Sequence, residues 1–201
     1  MAGQIEQAID ILKRGGIVAF PTDTVYGLGA SCLDNSAVAR VYEAKKRPRH
    51  LALPLLLSHI SQIESTAQSV PEIGWRLAQR FLPGALTLVL FKATWVSGAL
   101  TGGEDKVALR VPNHPIPTAL IQGLGAPITG TSANITGSPS LLTADEVREQ
   151  MGDRVDLVID GSCPGGLDST VLDLTSEAPR ILREGAISRE EIERVCGTKV
   201  N

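Results

Sequence analysis

The chain has 201 residues, of which 43% are hydrophobic and 20% are charged, a composition typical of globular proteins and unlike that of disordered or fibrous ones. A formal net charge of −3 argues against a uniformly basic surface for binding nucleic acid. The longest apolar runs are too short to cross a bilayer, and no basic segment followed by an apolar one is visible at the start of the sequence. We therefore expect a cytoplasmic protein that is not bound to a membrane.

Six segments have the apolar spacing, caps and stop residues of helices. They are residues 5–12, 36–47, 71–82, 115–125, 144–151 and 189–196. Asp34 or Asn35 is the expected N-cap of the second helix, and the last two helices begin with Ser/Thr-x-x-Glu capping boxes.

Short apolar runs predict eight strands. They are residues 17–20, 51–57, 85–91, 107–111, 126–134, 156–160, 169–174 and 180–183. The third is apolar on both faces and is expected at the centre of a sheet, whereas Pro54 places the second at an edge or a bend. The fifth runs into a polar turn, and residues 93–106 are interpreted as a loop. Because helices and strands alternate irregularly, we predict a single α/β domain over residues 1–201, with an open, twisted mixed sheet flanked by helices.

The cysteines, Cys32, Cys163 and Cys196, are far apart in the sequence. They form no Cys-x-x-Cys pair and no cluster with histidine, so we expect three reduced thiols rather than a disulfide framework or a zinc site. The three histidines are likewise not spaced as metal ligands. The sequence therefore predicts no metal site built from protein side chains.

Residues 20–29, FPTDTVYGLG, follow an apolar strand and end in Gly-x-Gly. A dinucleotide-binding turn requires a third glycine, but Cys32 stands there and no helix begins at once. Thr22, Thr24 and Tyr26 alternate, and an extended segment would place all three on one face for a small polar ligand. An ordinary turn is the alternative, and the glycines are interpreted as residues that turn the chain.

Two further segments have the residue types of anion sites. Lys45, Lys46, Arg47 and Arg49 lie within five residues at the end of the second helix. Arginine offers bidentate contacts to phosphate, although the helix dipole alone also favours cations there. Residues 129–134, TGTSAN, follow a strand with hydroxyl and amide groups that fit phosphate oxygens, a substrate carboxylate or an ordinary Ser/Thr or Asx turn.

Arg110 lies in an apolar strand, and a buried arginine needs an anionic partner, either a ligand carboxylate or an internal Asp or Glu. The segments GGLDSTV and RILREG add Ser169, Thr170 and Arg183. Together the motifs supply hydroxyls and cations, and the sequence lacks both a P-loop and a G-x-S-x-G nucleophile pattern. This combination fits a polyanion and a small polar molecule bound side by side, with catalysis by positioning and charge stabilisation, as in nucleotidyl transfer.

The motifs GGIVAFPTDTVYGLGA, KKRP, SAN, STV and LREGAI resemble, in this order, those of the YrdC family in its short bacterial-type form. The resemblance extends over about residues 5–195, the expected core of the domain. It implies an open, twisted α/β sheet with a deep, positively charged cleft. No second, C-terminal domain is expected for the short form.

Members of that family condense L-threonine, bicarbonate or CO₂, and ATP into L-threonylcarbamoyl-AMP and pyrophosphate. The resemblance therefore implies a nucleotidyltransferase whose product a tRNA threonylcarbamoyl transferase complex passes to adenosine 37 of tRNA. ATP is the expected nucleotide substrate, with Mg²⁺ held mainly by the nucleotide and water. Direct binding of tRNA stays open.

Site residues carry over motif by motif from this resemblance. The expected catalytic residues are Lys45, Arg47, Ser132 and Asn134. The expected ATP-binding residues are Lys45, Arg47, Ser132, Asn134, Ser140 and Arg183. The expected threonine-binding residues are Thr22, Thr24, Tyr26, Arg110 and Thr170.

The chain departs from the family pattern after the basic motif. Leu51, Ala52 and Leu53 occupy the place of a polar residue followed by Pro-Leu, and Leu56 stands where some members carry a histidine. Contacts from this loop are therefore expected from its backbone.

Two alternatives remain at this stage. One is an enzyme acting on a carbamoyl-adenylate, like the YrdC-like domain of hydrogenase maturation proteins, which are longer and carry further segments. The other is a non-catalytic RNA-binding module, against which the net negative charge and the aromatic content of 3% both argue.

Overall fold

The computed structural model describes residues 2–201. Within them, the α-helices are α1 (Ala2–Lys13), α2 (Asn35–Lys45), α3 (Gln62–Thr66), α4 (Glu72–Phe81), α5 (Gly98–Thr101), α6 (Pro115–Leu124), α7 (Ala144–Met151) and α8 (Arg189–Cys196). The strands are β1 (Val18–Phe20), β2 (Gly27–Gly29), β3 (Leu55–Leu56), β4 (Leu86–Phe91), β5 (Lys106–Arg110), β6 (Ile128–Thr129), β7 (Thr131–Ser132), β8 (Leu157–Val158), β9 (Thr170–Asp173) and β10 (Arg180–Arg183). None of these helices has both the length and the apolar character that a membrane span requires.

All six predicted helices form, and their ends follow the expected chemistry. Asp34 is the N-cap of α2, because its carboxylate accepts hydrogen bonds from the backbone N–H groups of Ser36 and Ala37. The helix ends at Lys45, earlier than predicted, since Lys46 takes the left-handed conformation with φ of 50°. Both capping boxes are present, at α7 and at α8. The sequence does not predict α3 and α5, because five and four residues are too few for a helical period to show.

The strands form two mixed sheets rather than the one predicted, within the α/β class that the sequence indicates. The smaller sheet has the order β7-β2-β1-β8 and the larger one β10-β9-β4-β5-β3-β6. The chain passes from one sheet to the other at Gly130, because Thr129 pairs with Leu55 in the larger sheet and Thr131 pairs with Leu28 in the smaller one. Gly130 is required at this crossing, since a Cβ there would lie 2.3 Å from the side chain of a leucine in β3.

The larger sheet has one apolar and one partly polar face. The core-facing residues of β4 and β5 are Leu86, Leu88, Leu90, Val107 and Leu109. The residues on the opposite face are Thr87, Val89, Lys106, Ala108 and Arg110. Successive side chains of a strand alternate between faces. The predicted central position of β4 is confirmed, since β4 lies between β9 and β5. The partly polar face is free to bind a ligand.

The Gly-x-Gly of residues 27–29 forms β2, antiparallel to β1. The ring of Phe20 on β1 lies across both glycines, and a Cβ on Gly27 or Gly29 would come within 2.8 or 2.7 Å of that ring. The two glycines therefore make room for a buried aromatic ring, which replaces the interpretation that they turn the chain.

Candidate functional site

A cavity of about 500 Å³ lies on the partly polar face of the larger sheet. Strands β4, β5, β9 and β10 form its floor, and loops from the smaller sheet and from the end of α2 form its sides. The volume is within the range of sites for small molecules and cofactors. Five predicted site residues line this cavity: Thr24, Arg47, Arg110, Ser132 and Arg183.

Arg110, at the end of β5, is 8% exposed and is held from three directions. Its Nε donates to the carbonyl of Gly84 at 2.9 Å, and one terminal nitrogen donates to Thr24 Oγ1 at 2.9 Å. The other terminal nitrogen lies 2.7 Å from Asp23 Oδ1. Of the two partners that the sequence left open, the internal carboxylate is present. A guanidinium has five N–H groups, so these bonds leave two without an acceptor among residues 2–201 for a ligand.

The segment before β2 is bent rather than extended, so Thr22, Thr24 and Tyr26 do not share a face. Thr24 lines the cavity. Thr22 instead donates to the carbonyl of Val25 at 2.7 Å and accepts from the backbone N–H of Thr24 at 3.1 Å, which closes a turn. Tyr26 is fully buried, and its hydroxyl donates to the carbonyl of Ile159 at 2.6 Å. The structure thus places Thr22 and Tyr26 outside the cavity lining, and their contact with threonine stays a prediction.

Lys45 is 2% exposed and points behind the cavity rather than into it. Its ammonium donates to the carbonyls of Ser132 and Asn134 at 2.5 and 2.7 Å and to Asn134 Oδ1 at 3.3 Å. These bonds use all three of its N–H groups. Burial, with a smaller contribution from Arg47, lowers the pKa of Lys45 to about 8. These bonds hold the Ser132–Asn134 turn to the end of α2, and the contact of Lys45 with phosphate stays a prediction.

Asn134 has the same supporting position. Its Oδ1 accepts from Ser132 Oγ at 2.5 Å, and its Nδ2 donates to the carbonyls of Ile135 and Ser138 at 3.1 and 2.6 Å. Asn134 is 5% exposed and does not line the cavity, whereas Ser132 does. The sequence allowed either an ordinary polar turn or a ligand contact for residues 129–134. The bonds of Asn134 are those of a polar turn, and the contact of Ser132 with a ligand stays a prediction.

Arg47 lines the cavity and organises the loop in which the chain departs from the family pattern. Its Nε donates to the carbonyl of Leu51 at 3.1 Å, and one terminal nitrogen donates to the carbonyl of Ala52 at 2.8 Å. Partial burial lowers the pKa of Arg47, yet a guanidinium stays protonated in proteins. The loop backbone thus fixes this cation at the cavity wall.

Arg183, on β10, lies beside Ser169 and Asp168. Its Nε and one terminal nitrogen donate to the carbonyl of Ser169 at 3.1 and 2.9 Å, and the other terminal nitrogen lies 3.2 Å from Asp168 Oδ2. Ser140 does not line the cavity, but its hydroxyl donates to Asp168 Oδ1 at 3.2 Å.

Thr170 is fully buried and does not line the cavity. Its hydroxyl donates to the carbonyl of Ile187 at 2.6 Å and accepts from the N–H groups of Gly185 and Ile187. This side chain holds the loop after β10, and the contact of Thr170 with threonine stays a prediction.

The charged side chains of the cavity lining were largely missed from sequence. Five are basic and three are acidic; they are Arg47, Lys106, Arg110, Arg180, Arg183, Glu104, Asp168 and Asp173. Lys106, Asp173 and Arg180 lie on the same sheet face as Arg110, at alternate positions of neighbouring strands. Strand alternation around Arg110 is the signal that could have found them.

The family model described as Telomere recombination, of Sua5, YciO and YrdC proteins, matches residues 10–185. A threonylcarbamoyl-AMP synthase of Pyrococcus abyssi is 45% identical over 195 residues, which are 96% of this chain and 57% of that protein. A putative threonylcarbamoyl-AMP synthase of Mycobacterium tuberculosis is 39% identical over 194 residues, 96% of this chain and 89% of that protein. The chain thus spans little more than half the length of the first relative and most of the second.

Solved structures agree with these matches. The crystal structure of P. abyssi Sua5 complexed with L-threonine has a TM-score of 0.94 at 44% identity, covering 98% of this chain and 58% of that one. Escherichia coli YciO has a TM-score of 0.87 at 29% identity, covering 96% and 94%. Because the family model matches most of the sequence and the fold is shared along nearly all of it, the chain belongs to the Sua5/YciO/YrdC family.

Proposed function

We propose that the protein is a nucleotidyltransferase that forms L-threonylcarbamoyl-AMP and pyrophosphate from L-threonine, bicarbonate or CO₂, and ATP. The observation that carries the proposal is one cavity of about 500 Å³ that combines a buried arginine at one strand end with three further arginines, a lysine and two serines. Its relatives named threonylcarbamoyl-AMP synthase, and the relative whose structure was solved with L-threonine, support this reading of the cavity.

Arg110 and Thr24 would receive the amino acid. Asp23 and Gly84 fix the guanidinium, whose two remaining N–H groups fit a carboxylate. Thr24 Oγ1 accepts from Arg110 at 2.9 Å, and its own proton is donated to Thr22 Oγ1 at 3.1 Å, because Thr22 donates to Val25. Thr24 therefore lines the site and fixes the guanidinium.

Arg47 and Arg183 would receive the phosphates of ATP. Ser132 would join them when its hydroxyl, which donates to Asn134 Oδ1 in the structure, turns to a phosphate oxygen. Each of the two arginines donates some of its N–H groups to backbone carbonyls, and these bonds fix the orientation of its guanidinium before any ligand binds. Donors fixed in advance stabilise developing charge without reorganising during the reaction. Lys45 and Asn134 serve this end indirectly, because they hold the turn that presents Ser132.

In the proposed reaction the amine of threonine adds to CO₂, which releases protons to the solvent and leaves N-carboxythreonine. A carboxylate oxygen of that carbamate then forms a bond to the α-phosphorus of ATP. The bond from this phosphorus to the bridging oxygen breaks, and pyrophosphate leaves with the electron pair. The protein contributes positioning and charge stabilisation, which is the main requirement of transfer at phosphorus.

The residues around the cavity do not build a site for Mg²⁺. No three His, Cys, Asp or Glu side chains come together as a metal-binding group in the part of the chain that the structure describes. The proposed phosphate region holds guanidinium and hydroxyl groups and one carboxylate, that of Asp168, which is paired with Arg183. Mg²⁺ keeps several waters and binds substrate phosphates in such sites. We therefore write the metal as part of the Mg–ATP substrate.

Release of pyrophosphate tests the proposal. The purified protein is incubated with Mg–ATP and bicarbonate, with and without L-threonine, and the expected release depends on threonine and is weaker with serine or valine. Arg47→Ala should raise the KM for ATP by about 10-fold, the effect of one lost charge-assisted bond. Release that ignores threonine, or an Arg47→Ala protein with normal kinetics, would overturn the assignment.

The later use of the product is also part of the proposal. Threonylcarbamoyl-AMP would pass to a tRNA threonylcarbamoyl transferase complex, with or without direct contact between this chain and tRNA. A salt titration of RNA binding separates the alternative of a plain RNA-binding module, because binding to phosphates falls steeply with salt and would then be unaffected by ATP or threonine.

A further inference from the structure

The cavity must also accommodate the positive charge of an amino-acid substrate. Its lining has five basic side chains, and an ammonium group brought among them needs an anionic acceptor, since an unpaired charge is costly to remove from water. Three carboxylates line the cavity, those of Glu104, Asp168 and Asp173. Their partners differ, and this difference decides which of them has room for a ligand.

Asp173 is saturated by the protein. Its Oδ1 accepts from the N–H and the hydroxyl of Thr175 at 2.8 and 2.6 Å, and its Oδ2 lies 3.3 Å from Lys106 Nζ and 3.7 Å from Arg180. The side chain is 2% exposed. A carboxylate has about four acceptor positions, and the protein fills three of them at Asp173 with hydrogen bonds and places the Arg180 cation near the fourth.

Glu104 lies at the wrong end of the floor. It precedes Lys106, the first residue of β5, whereas Arg110 is the last. At the rise of a strand, Lys106 and Arg110 are already about 13 Å apart. A carboxylate beyond Lys106 is too distant to share a small amino acid with Arg110.

Asp168 immediately precedes Ser169, and its carboxylate is only partly used. Its Oδ1 accepts from Ser140 and its Oδ2 from Arg183, both at 3.2 Å, and its side chain is 32% exposed. Two of about four acceptor positions therefore remain. Arg183 does not depend on this carboxylate for its direction, because it also donates twice to the carbonyl of Ser169.

The charge of Asp168 also reaches the amino-acid end of the cavity. Burial lowers the pKa of Arg110, whereas Asp23 and, to a smaller extent, Asp168 raise it. Asp168 is paired with Arg183 at 3.2 Å, and it lines the same cavity as Arg110.

We infer that Asp168 receives the α-ammonium group of the amino-acid substrate while Arg110 receives its carboxylate. This assignment rests on the proposed function and adds to it a residue that selects α-amino acids over carboxylic acids without the amine. The contact also places the substrate nitrogen beside Arg183, where the carbamate oxygen must meet the α-phosphate.

The test compares L-threonine with (R)-3-hydroxybutanoate, which lacks only the amine. Binding is measured by calorimetry and by steady-state kinetics on the whole protein and on Asp168→Asn, which keeps the side-chain shape. We expect the variant to bind threonine about 10- to 100-fold more weakly, the loss of one charge-assisted bond, with little change for the hydroxy acid or in the KM for ATP. Asp168→Glu should recover part of the threonine affinity.

Glu104→Gln is the matched control, because it removes the same charge from the same cavity, and it should leave both affinities unchanged. Three results for Asp168→Asn would each overturn the role of Asp168. They are equally weakened binding of threonine and of the hydroxy acid, a rise only in the KM for ATP or for Mg²⁺, and an unchanged KM for threonine. A wild-type protein that neither binds threonine nor releases pyrophosphate would instead overturn the proposed function itself.

Discussion

The polar side chains of the cavity wall and those of the layer directly behind it differ in how much of their hydrogen-bonding capacity the protein uses. In the wall, Arg110 uses three of five N–H groups on protein acceptors, and Asp168 uses about half of its acceptor positions. In the layer behind, Lys45 uses all three N–H groups, and Thr170 donates once and accepts twice.

This difference separates side chains that stabilise the backbone from side chains that can bind a ligand, and the same sequence motifs contain both. A buried polar side chain whose bonds are all satisfied stabilises the backbone around it, and a ligand gains nothing from it directly. A side chain fixed by some bonds and left with others is both rigid and available, as a binding site requires. Ser132 and Asn134 show the two roles within a single three-residue turn.

The largest expected effect comes from the wall, at Arg110. Arg110→Gln should weaken threonine binding about 100-fold and lower the free energy of unfolding by about 2 to 4 kcal/mol, because the nearly buried Asp23 loses its cation. Adding Asp23→Asn removes the uncompensated charge. The double variant should regain most of the stability and none of the threonine affinity, as measured by denaturant unfolding and calorimetry.

Recovery of threonine affinity in that double variant would show that Arg110 serves only as the internal partner of Asp23. Arg110 would then belong to the supporting layer rather than to the ligand-binding wall of the cavity, and the difference between the two layers would not hold at this residue.

A smaller effect of the opposite kind is expected in the supporting layer, at Thr170. Thr170→Val keeps the volume but leaves the carbonyl of Ile187 and the N–H of Gly185 without their partner. We expect a loss of about 1 to 3 kcal/mol in the free energy of unfolding, with the KM for threonine at its normal value wherever the protein is folded. A rise in the KM for threonine without a change in the free energy of unfolding would show that Thr170 contacts the ligand, as the side chains of the cavity wall do.

The elements of this fold were largely predictable from the sequence because they depend on local rules. Asp34 and the two capping boxes fix the starts of three helices, and apolar runs locate the main strands. The division into two sheets was not predictable, since it depends on the crossing at Gly130, where pairing partners are far apart in the sequence. Short strands of two residues carry too little pattern to show their partners.

The site was predictable in its motifs and less so in its orientations. Motif reasoning found Arg47, Arg110 and Arg183, but it assumed that the segment before β2 is extended, and the bend there turned Tyr26 into the core. Residue type alone cannot distinguish a cation that faces a ligand from one that faces carbonyls, which is why the bonds of Lys45 to backbone carbonyls were not predicted. Its acceptors belong to a turn nearly ninety residues away.

The smallest expected effect is a pH dependence of stability that only a buried, saturated lysine would give. Lys45 has a pKa of about 8 in the folded protein and an ordinary value of 10.5 when exposed. Between these values the unfolded chain binds the proton and the folded protein does not, so the free energy of unfolding rises with pH from about 8 towards 10.5 and is constant below that range. Measured against Lys45→Met by denaturant unfolding, the wild-type protein should gain less than about 1 kcal/mol between about pH 7.5 and 8.5. A difference that stays flat until about pH 10 would mean that the ammonium is solvated at its ordinary pKa, and Lys45 would then belong with the cations of the cavity wall.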